Sequence, residues 1–178
     1  MSGIASYSLV RPHLTVADGT VSYRCRVPAG TCGLTSTLTV PASANSVDVS
    51  TGGGGLTVDS GITANVTLSS SGGDITADGL AGTASLESSG GNVNAAGITA
   101  GRVTVHSDGG NVSLRFTEAP GDVLVDSGDG GVSIVLPPGH YDFRVNSGGG
   151  TVTTPASYPG ARDVITVDSG GRDVTVSE

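Results

Sequence analysis

Two cysteines carry the most reactive side chains of this chain. Cys25 and Cys32 flank the segment PAGT, whose composition predicts a turn. A hairpin at this turn would bring the two sulfurs within bridging range, although the strand register is not readable from the sequence. We predict a disulfide here, which favours a setting outside the cytoplasm, with two unlinked small apolar side chains as the alternative.

Aspartates recur at the bends of the chain and could serve catalysis or bind a cation. Asp126 and Asp129 flank one bend and Asp108 lies at the bend before it. A glycoside hydrolase would need two such carboxylates ~5–9.5 Å apart. The segment VDSG, at Asp59, Asp126 and Asp168, raises calcium binding as a second chemistry. Aspartate is also a turn former, and the nine-residue repeat of calcium-binding β-rolls is absent, so we interpret these residues as solvated turn carboxylates.

Motifs of the common enzyme classes are absent from the sequence. It contains no G-x-S-x-G elbow, no P-loop lysine, no H-E-x-x-H motif and no G-x-G-x-x-G segment after a strand. His13, His106 and His140 are not spaced to complete a four-ligand zinc site with the cysteine pair. We therefore predict a non-catalytic protein with no metal and no cofactor.

Small polar residues recur one position after the apolar residue that follows each glycine-rich bend. If the repeats stack about 4.8 Å apart, these residues form one polar row that could contact a protein or glycan surface. Threonine rows on β-solenoids can also bind ice, but this row is single and interrupted, and such residues are ordinary on solvent-facing strands. The predicted row consists of Thr57, Thr76, Asn94, Ser113, Ser133, Thr153 and Thr175.

A repeat of glycine-rich bends positions these residues. The apolar residue after each bend recurs every 18 to 22 residues, and each unit reads apolar-x-apolar, a Ser/Asp/Gly bend, then apolar-x-apolar again. This alternation over short β-branched runs predicts half-buried strands and no helix. The residues predicted to face the core before the bends are Val47/Val49, Val66/Leu68, Ala84/Leu86, Val103/Val105, Val123/Val125, Phe143/Val145 and Ile165/Val167. After the bends they are Leu56/Val58, Ile75/Ala77, Val93/Ala95, Val112/Leu114, Val132/Ile134, Val152/Thr154 and Val174/Val176.

Two all-β architectures fit this repeat: a meander of antiparallel hairpins, or a solenoid in which each unit is one coil. The near-constant period favours a parallel β-helix of about seven coils over residues 46–178, right-handed as parallel crossovers usually are. Glycine recurs because corners need positive φ and because adjacent backbones approach closely there. A narrow aliphatic core also accounts for an aromatic content of 3% and the absence of Trp.

The two ends of the predicted solenoid differ from its middle. Residues 1–45 do not fit the period and are predicted to form a β cap, including the cysteine hairpin, over the first coil. The last strand, RDVTVSE, stops abruptly, which predicts an edge blunted by charge or open to another molecule. The segments PPG (residues 137–139) and PASYP (residues 155–159) lengthen their coils and are predicted to protrude.

Charge and hydropathy exclude several partners. The formal net charge is −8, from 16 acidic and 8 basic residues, and all eight basic residues are Arg. Without a basic stripe, we expect no binding to nucleic acid or anionic membranes. No signal peptide and no apolar run of ~18 residues is visible, so an exported form would need an anchor missing from this chain, and a cytosolic protein is the alternative.

The run STLTVPASANSVDVSTGGGGLTV, followed by repeats of V-x-V-x-S-G-G-x-V-x-V, resembles a bacterial β-strand-repeat domain of unknown function that is often labelled an adhesin. The resemblance covers residues 34–176 and implies a right-handed parallel β-helix without established catalytic residues. Members of that family are often tethered by an N-terminal membrane segment, and none is visible here.

The sequence therefore favours a non-catalytic surface or structural module, adhesin-like, that binds an unidentified protein or glycan partner outside the cytoplasm or at the cell surface. The alternative is an element that self-associates through its solenoid ends into oligomers or filaments. Ice binding and a carbohydrate-active enzyme are further alternatives.

Overall fold

The computed structural model describes residues 13–17, 20–24, 44–59 and 61–178, with only the backbone described in the first two ranges. The chain divides into two compact units, residues 1–40 and 41–178. All regular structure within the described residues is β, as predicted. The strands are β1 (His13–Ala17), β2 (Thr20–Arg24), β3 (Ser46–Thr51), β4 (Leu56–Val58), β5 (Asn65–Ser70), β6 (Ile75–Asp78), β7 (Ala84–Ser88), β8 (Val93–Ile98), β9 (Arg102–Ser107), β10 (Val112–Phe116), β11 (Asp122–Ser127), β12 (Val132–Val135), β13 (Tyr141–Asn146), β14 (Val152–Thr153), β15 (Asp163–Ser169) and β16 (Val174–Ser177).

The first unit contains an antiparallel pair, β1 and β2, joined in a hairpin register that places Val16 opposite Val21. Cys25 and Cys32 lie outside the described residues, so their disulfide stays a prediction. The capping role of residues 1–45 also stays a prediction.

The second unit is a β-solenoid built from two seven-stranded parallel sheets. We call them the first sheet, ordered β3-β5-β7-β9-β11-β15-β13, and the second sheet, ordered β4-β6-β8-β10-β12-β16-β14. Each coil contributes one strand to each sheet, and the register aligns equivalent repeat positions, such as Val66 with Ala84 and Ala84 with Val103. The parallel pairing confirms the predicted solenoid and excludes the antiparallel meander.

The stacking order departs from the order of the sequence at one end. β15 lies between β11 and β13, with Val167 in register with both Val125 and Val145. β16 likewise lies between β12 and β14. The expectation of an open edge at RDVTVSE is therefore wrong: β16 is paired on both sides, and β13 and β14 form the exposed end of the stack.

The solenoid interior is aliphatic, as the alternation predicted. In the middle coils the inward residues are almost fully buried, for example Leu68, Val93 and Val125 at 0% exposure. Each such Val, Leu or Ile contributes about 1.5–3 kcal/mol on burial. At the end of the stack the prediction fails for Val152, which remains 44% exposed because β14 has a neighbour on one side only.

A buried serine closes six of the seven bends between the two sheets, and Thr51 takes this place at the first bend. The Ser107 hydroxyl donates to the carbonyl of Gly110 (2.9 Å) and accepts from the Gly110 N–H (3.1 Å), which satisfies both backbone groups inside the corner. Ser88 accepts from the Gly91 N–H at 3.0 Å in the same way. The equivalent buried residues are Ser70, Ser88, Ser107, Ser127, Ser147 and Ser169.

Glycine recurs at these bends because of close approach between coils. A Cβ on Gly110 would fall inside contact distance of the Gly91 carbonyl, and one on Gly91 would meet Gly73. Neither residue has a positive φ, so the predicted left-handed corner is wrong there. Positive φ does occur in the equivalent bends after β13 and β15, at Gly148 (61°), Gly149 (130°) and Gly171 (135°), and at a different corner at Gly79 (69°) and Gly97 (60°).

The segment PASYP does not protrude but lies along the outer edge of β13. The Tyr158 N–H donates to the Tyr141 carbonyl (2.8 Å), and the Ser157 hydroxyl accepts from the Phe143 N–H (3.0 Å). His140 stacks edge-on against Tyr158, with ring centroids 4.3 Å apart. This segment therefore satisfies part of an edge that would otherwise present free backbone groups.

Candidate functional site

The seven residues of the predicted polar row lie side by side on the outer face of the second sheet. The pairing aligns Thr57 with Thr76, Asn94 with Ser113, and Ser133 with Thr175. Thr153 ends the row beside Thr175, because the inserted coil reverses the order of the last two members. All seven residues are exposed, and neighbours are separated by the strand spacing of about 4.8 Å.

The residues beside this row do not form a second matching row. The next outward positions carry Asp78, Ala96, Arg115, Val135 and Ser177, which differ in charge and size from strand to strand. A flat double rank of threonines is therefore not present on this face. The face offers one line of short hydroxyl and amide groups.

A ladder of side-chain amides and carboxylates fixes the strand spacing next to the polar row. The Asn92 Oδ1 accepts from the Asn111 N–H (3.0 Å), and the Asn111 Oδ1 accepts from the Gly131 N–H (2.9 Å). The Asp74 Oδ1 accepts from the Asn92 N–H in the same way, at 2.7 Å. Sequence reasoning missed this ladder, although its signal was an Asp or Asn directly before the apolar residue that follows four of the seven bends.

The predicted bend carboxylates come together only in part. Asp108 and Asp126 both contact His106, at 3.0 Å from Nε2 and 3.3 Å from Nδ1 respectively. Asp168 lies beside Asp126 in the register of β15 and accepts from the Asn146 amide at 3.2 Å. Side chains in the His106 contacts are about half exposed, so these contacts are solvated and weak.

The other predicted acids lie apart from this histidine. Asp59 follows β4 near the opposite end of the stack, and the backbone carbonyl of Asp129 accepts from Arg172 Nε at 3.1 Å. Over residues 44–59 and 61–178, together with the two described strands before them, no group of three or more His, Cys, Asp or Glu residues has a geometry that could hold a metal ion.

Among the residues that the structure describes, the one carboxylate with a shifted pKa has a structural role. Asp142 lies almost buried, with Arg144 Nη2 at 3.0 Å and the Gly160 N–H at 3.2 Å from its Oδ2. The hydrogen bond from Arg144, followed by that from Gly160, lowers the pKa of Asp142 below its usual value. Next to it, burial raises the pKa of Tyr141, with further contributions from Asp163 and Glu178. The Asp142 carboxylate, through Gly160, and the Tyr141 backbone carbonyl, through Tyr158, hold residues 155–160 against β13, whereas the Tyr141 hydroxyl donates to the Pro137 carbonyl at 2.9 Å.

A shallow cleft crosses the first sheet at the start of its strands, and sequence reasoning missed it. Its volume is about 560 Å³. Its polar side chains are Asn65, Thr83, Arg102, Asp122 and Arg162. No sequence motif marks it, because its residues come from five separate coil corners and meet only when the coils stack.

The family model of Toastrack DUF4097, a domain of unknown function, matches residues 14–176. The chain belongs to this family. No curated protein and no solved structure matches it. The Toastrack assignment agrees with the β-solenoid and indicates no catalytic family. No helix in the described part of this Toastrack chain is long and apolar enough to cross a membrane.

Proposed function

We propose that this Toastrack domain is a non-catalytic binding scaffold that presents the polar row of the second sheet to a protein or glycan surface. The observation that carries this proposal is the row itself: seven exposed hydroxyl and amide side chains held in register on a parallel sheet. A row of short side chains on hydrogen-bonded strands loses little conformational entropy on binding, which favours recognition of a flat partner.

Two features of the second sheet support a scaffold rather than an enzyme. The serine bends and the Asx ladder fix the starts of its strands with side-chain hydrogen bonds. His106, Asp108 and Asp126 could serve acid–base chemistry, but their side chains are solvated and none of them lines the cleft described above. A hydrolase would require converging carboxylates in a protected site.

The adhesin-like role is tested by blocking the row with charge. The variant Asn94→Lys/Ser113→Lys/Ser133→Lys places three cations on the row, whereas Thr67→Lys/Thr104→Lys/Thr166→Lys changes net charge equally on the first sheet. Binding of labelled protein to fixed bacterial cells and to immobilised collagen and fibronectin is measured for both. We expect the first variant to lose at least tenfold in binding and the second to retain it. Equal losses in both, or no binding to any of these surfaces by the unaltered protein, would overturn the proposal.

We further propose that the domain works outside the cytoplasm, at a bacterial cell surface. This proposal is supported by the predicted pairing of Cys25 with Cys32 and by the resemblance to surface-tethered domains. Peptide mass spectrometry under non-reducing conditions on protein from cell fractions tests it. A disulfide-linked peptide in the envelope fraction is expected, and reduced cysteines in a cytoplasmic pool contradict the proposal.

Self-assembly through the solenoid ends has lost its original support. The last strand of the sequence is internal, and residues 157 and 158 occupy part of the β13 edge. A partner copy would have to pair with the remainder of β13 and with β14, which is two residues long. We therefore favour the binding scaffold over the filament.

A further inference from the structure

The cleft on the first sheet differs in charge from the rest of the solenoid. Arg102 and Arg162, two of the eight arginines, line it together with a single acid, Asp122. The remaining six arginines are outnumbered by fifteen acidic residues elsewhere in the chain. In a molecule that repels anions overall, this cleft is a local site of net positive charge.

The inserted coil creates this arrangement. Because β15 lies beside β11, the Val164 N–H donates to the Gly121 carbonyl (3.0 Å), and Arg162 comes to the corner that holds Asp122. Arg102 lies one strand further along, in register with Asp122. Arg102 lies in β9 and Arg162 directly before β15, and these two strands are roughly 10 Å apart along the stack, twice the strand spacing.

The polar groups of the cleft are mainly hydrogen-bond donors. Arg102 uses its Nε to contact Asp122 at 3.2 Å, which leaves its terminal nitrogens available. Arg162 has no ion-pair partner among the residues that the structure describes. The Asn65 Oδ1 accepts from the Thr83 N–H at 3.0 Å, so its amide nitrogen remains as a donor. Such a site selects a ligand rich in acceptor oxygens and negative charge.

The shape of the cleft and the residues absent from it narrow the ligand class. Its volume lies within the ~300–1,000 Å³ typical of ligand clefts. Gly82, Gly101 and Gly121 line the cleft without side chains that would fill it. No aromatic side chain lines it, so neither nucleobases nor neutral sugar rings have a stacking platform. We propose that this cleft binds a carboxylate-bearing segment of a linear acidic polysaccharide that runs along the stack. The site lies on the opposite sheet from the polar row and does not depend on the function proposed for that row.

The test compares one glycan chain with and without its charge. The galacturonic acid hexamer and its fully methyl-esterified form are titrated into the full chain by isothermal titration calorimetry. We expect saturable binding of the acidic hexamer and at least tenfold weaker binding of the ester. Arg102→Gln and Arg162→Gln should each weaken binding of the acidic hexamer about three- to tenfold, whereas Arg115→Gln, on the second sheet, should leave it unchanged.

A gain-of-affinity variant separates a specific site from general charge attraction. Asp122→Asn removes the one acid of the cleft and frees Arg102, so we expect binding about two- to fivefold tighter. Asp78→Asn makes the same change in net charge on the second sheet and should have no effect. Thermal unfolding of each variant confirms that it is folded.

Three results would overturn the proposal: no binding of the acidic hexamer, equal binding of the ester, or equal effects of Arg115→Gln and Arg162→Gln. None of these results bears on the lysine variants of the polar row. Failure of the cleft and failure of the row are therefore distinguishable.

Discussion

Replacement of Gly110 by alanine is the sharpest test of how the coils stack. A Cβ at this position would meet the carbonyl oxygen and carbon of Gly91 and the backbone nitrogen of Asn92 in the coil below. All three atoms are backbone, so no side-chain rotation can relieve the contact. The neighbouring Gly109 provides the matched control, since its nearest neighbour would be the Ser89 carbonyl at 3.9 Å, an ordinary van der Waals distance.

The expected magnitude follows from the type of contact. Overpacking of a fixed interior costs about 1–3 kcal/mol, and a backbone-on-backbone clash belongs at the upper end of that range. We therefore expect Gly110→Ala to lower the free energy of unfolding by about 2–3 kcal/mol, equivalent to a fall in the thermal midpoint of roughly 4–12 °C for a chain of this size. Gly109→Ala should lie within about 0.5 kcal/mol of the parent, since alanine there also restricts the unfolded chain.

Urea and thermal denaturation, followed by circular dichroism at the β-sheet band, measure both variants. An unchanged urea slope would show that the loss concerns stability rather than the extent of unfolding. If Gly109→Ala were as destabilising as Gly110→Ala, or if Gly110→Ala cost less than about 0.5 kcal/mol, close approach would not be the reason for glycine at this bend.

Three further predictions concern side chains that hold the coils in place. Ser107→Ala removes a buried hydroxyl that satisfies two backbone groups of its bend, so urea denaturation should show a fall of ~1–3 kcal/mol in the free energy of unfolding. The matched change at an exposed serine, Ser113→Ala, should lower it by less than ~0.5 kcal/mol. Similar losses in the two variants would contradict the role of Ser107 in closing the bend. Asn111→Ala removes one rung of the Asx ladder and should cost about 0.5–1.5 kcal/mol in the same assay, and a neutral result would mean that solvent replaces the rung. Arg144 lowers the pKa of Asp142 in the folded protein, so the ionised Asp142 stabilises the fold. This stabilisation is fully present above the unfolded pKa of roughly 4 and is lost as the pH falls through the lower folded pKa. Asp142→Asn should therefore show a smaller drop in thermal midpoint than the parent between about pH 4 and pH 2, and an identical drop would refute this linkage.

The fold class was predictable because the interior imposes one rule on every coil. Alternating apolar residues must face a core only two sheets wide, so Val103 and Val105 predict a strand regardless of what stacks on it. The glycines were predictable as corners for the same reason. The reason for glycine at each corner was predicted only in part. A close approach between coils and a positive φ both select glycine, so the sequence does not distinguish them.

The stacking order could not be predicted, because the repeat makes neighbouring coils interchangeable. Val145 and Val167 occupy equivalent positions, and either would align with Val125 in a parallel register. A sequential stack and an inserted coil therefore satisfy the same alternation. The two stacking orders differ in which strand forms the edge of the first sheet. The PASYP segment can cover β13 only when β13 is the outermost strand.

The two candidate sites also differ in how far the sequence predicts them. The polar row follows from register alone, so all of its members could be named from the sequence. The cleft depends on which corners become neighbours, and Arg162 lines the same cleft as Asp122 only because the inserted coil places β15 beside β11. A site made from corners of non-sequential coils leaves no local pattern to find.

The position of β15 and β16 also constrains when the protein can finish folding during synthesis. In a sequential solenoid, each coil could dock as soon as it left the ribosome, since neighbouring coils provide all the contacts. Here β13 and β14 pair only with β15 and β16, so they have no docking surface in their native place until residues 163–177 have been made. Until then, the β11 and β12 edges are open to mispairing with the coil that follows them in the sequence, and the native order is set only when β15 and β16 pair with both neighbours.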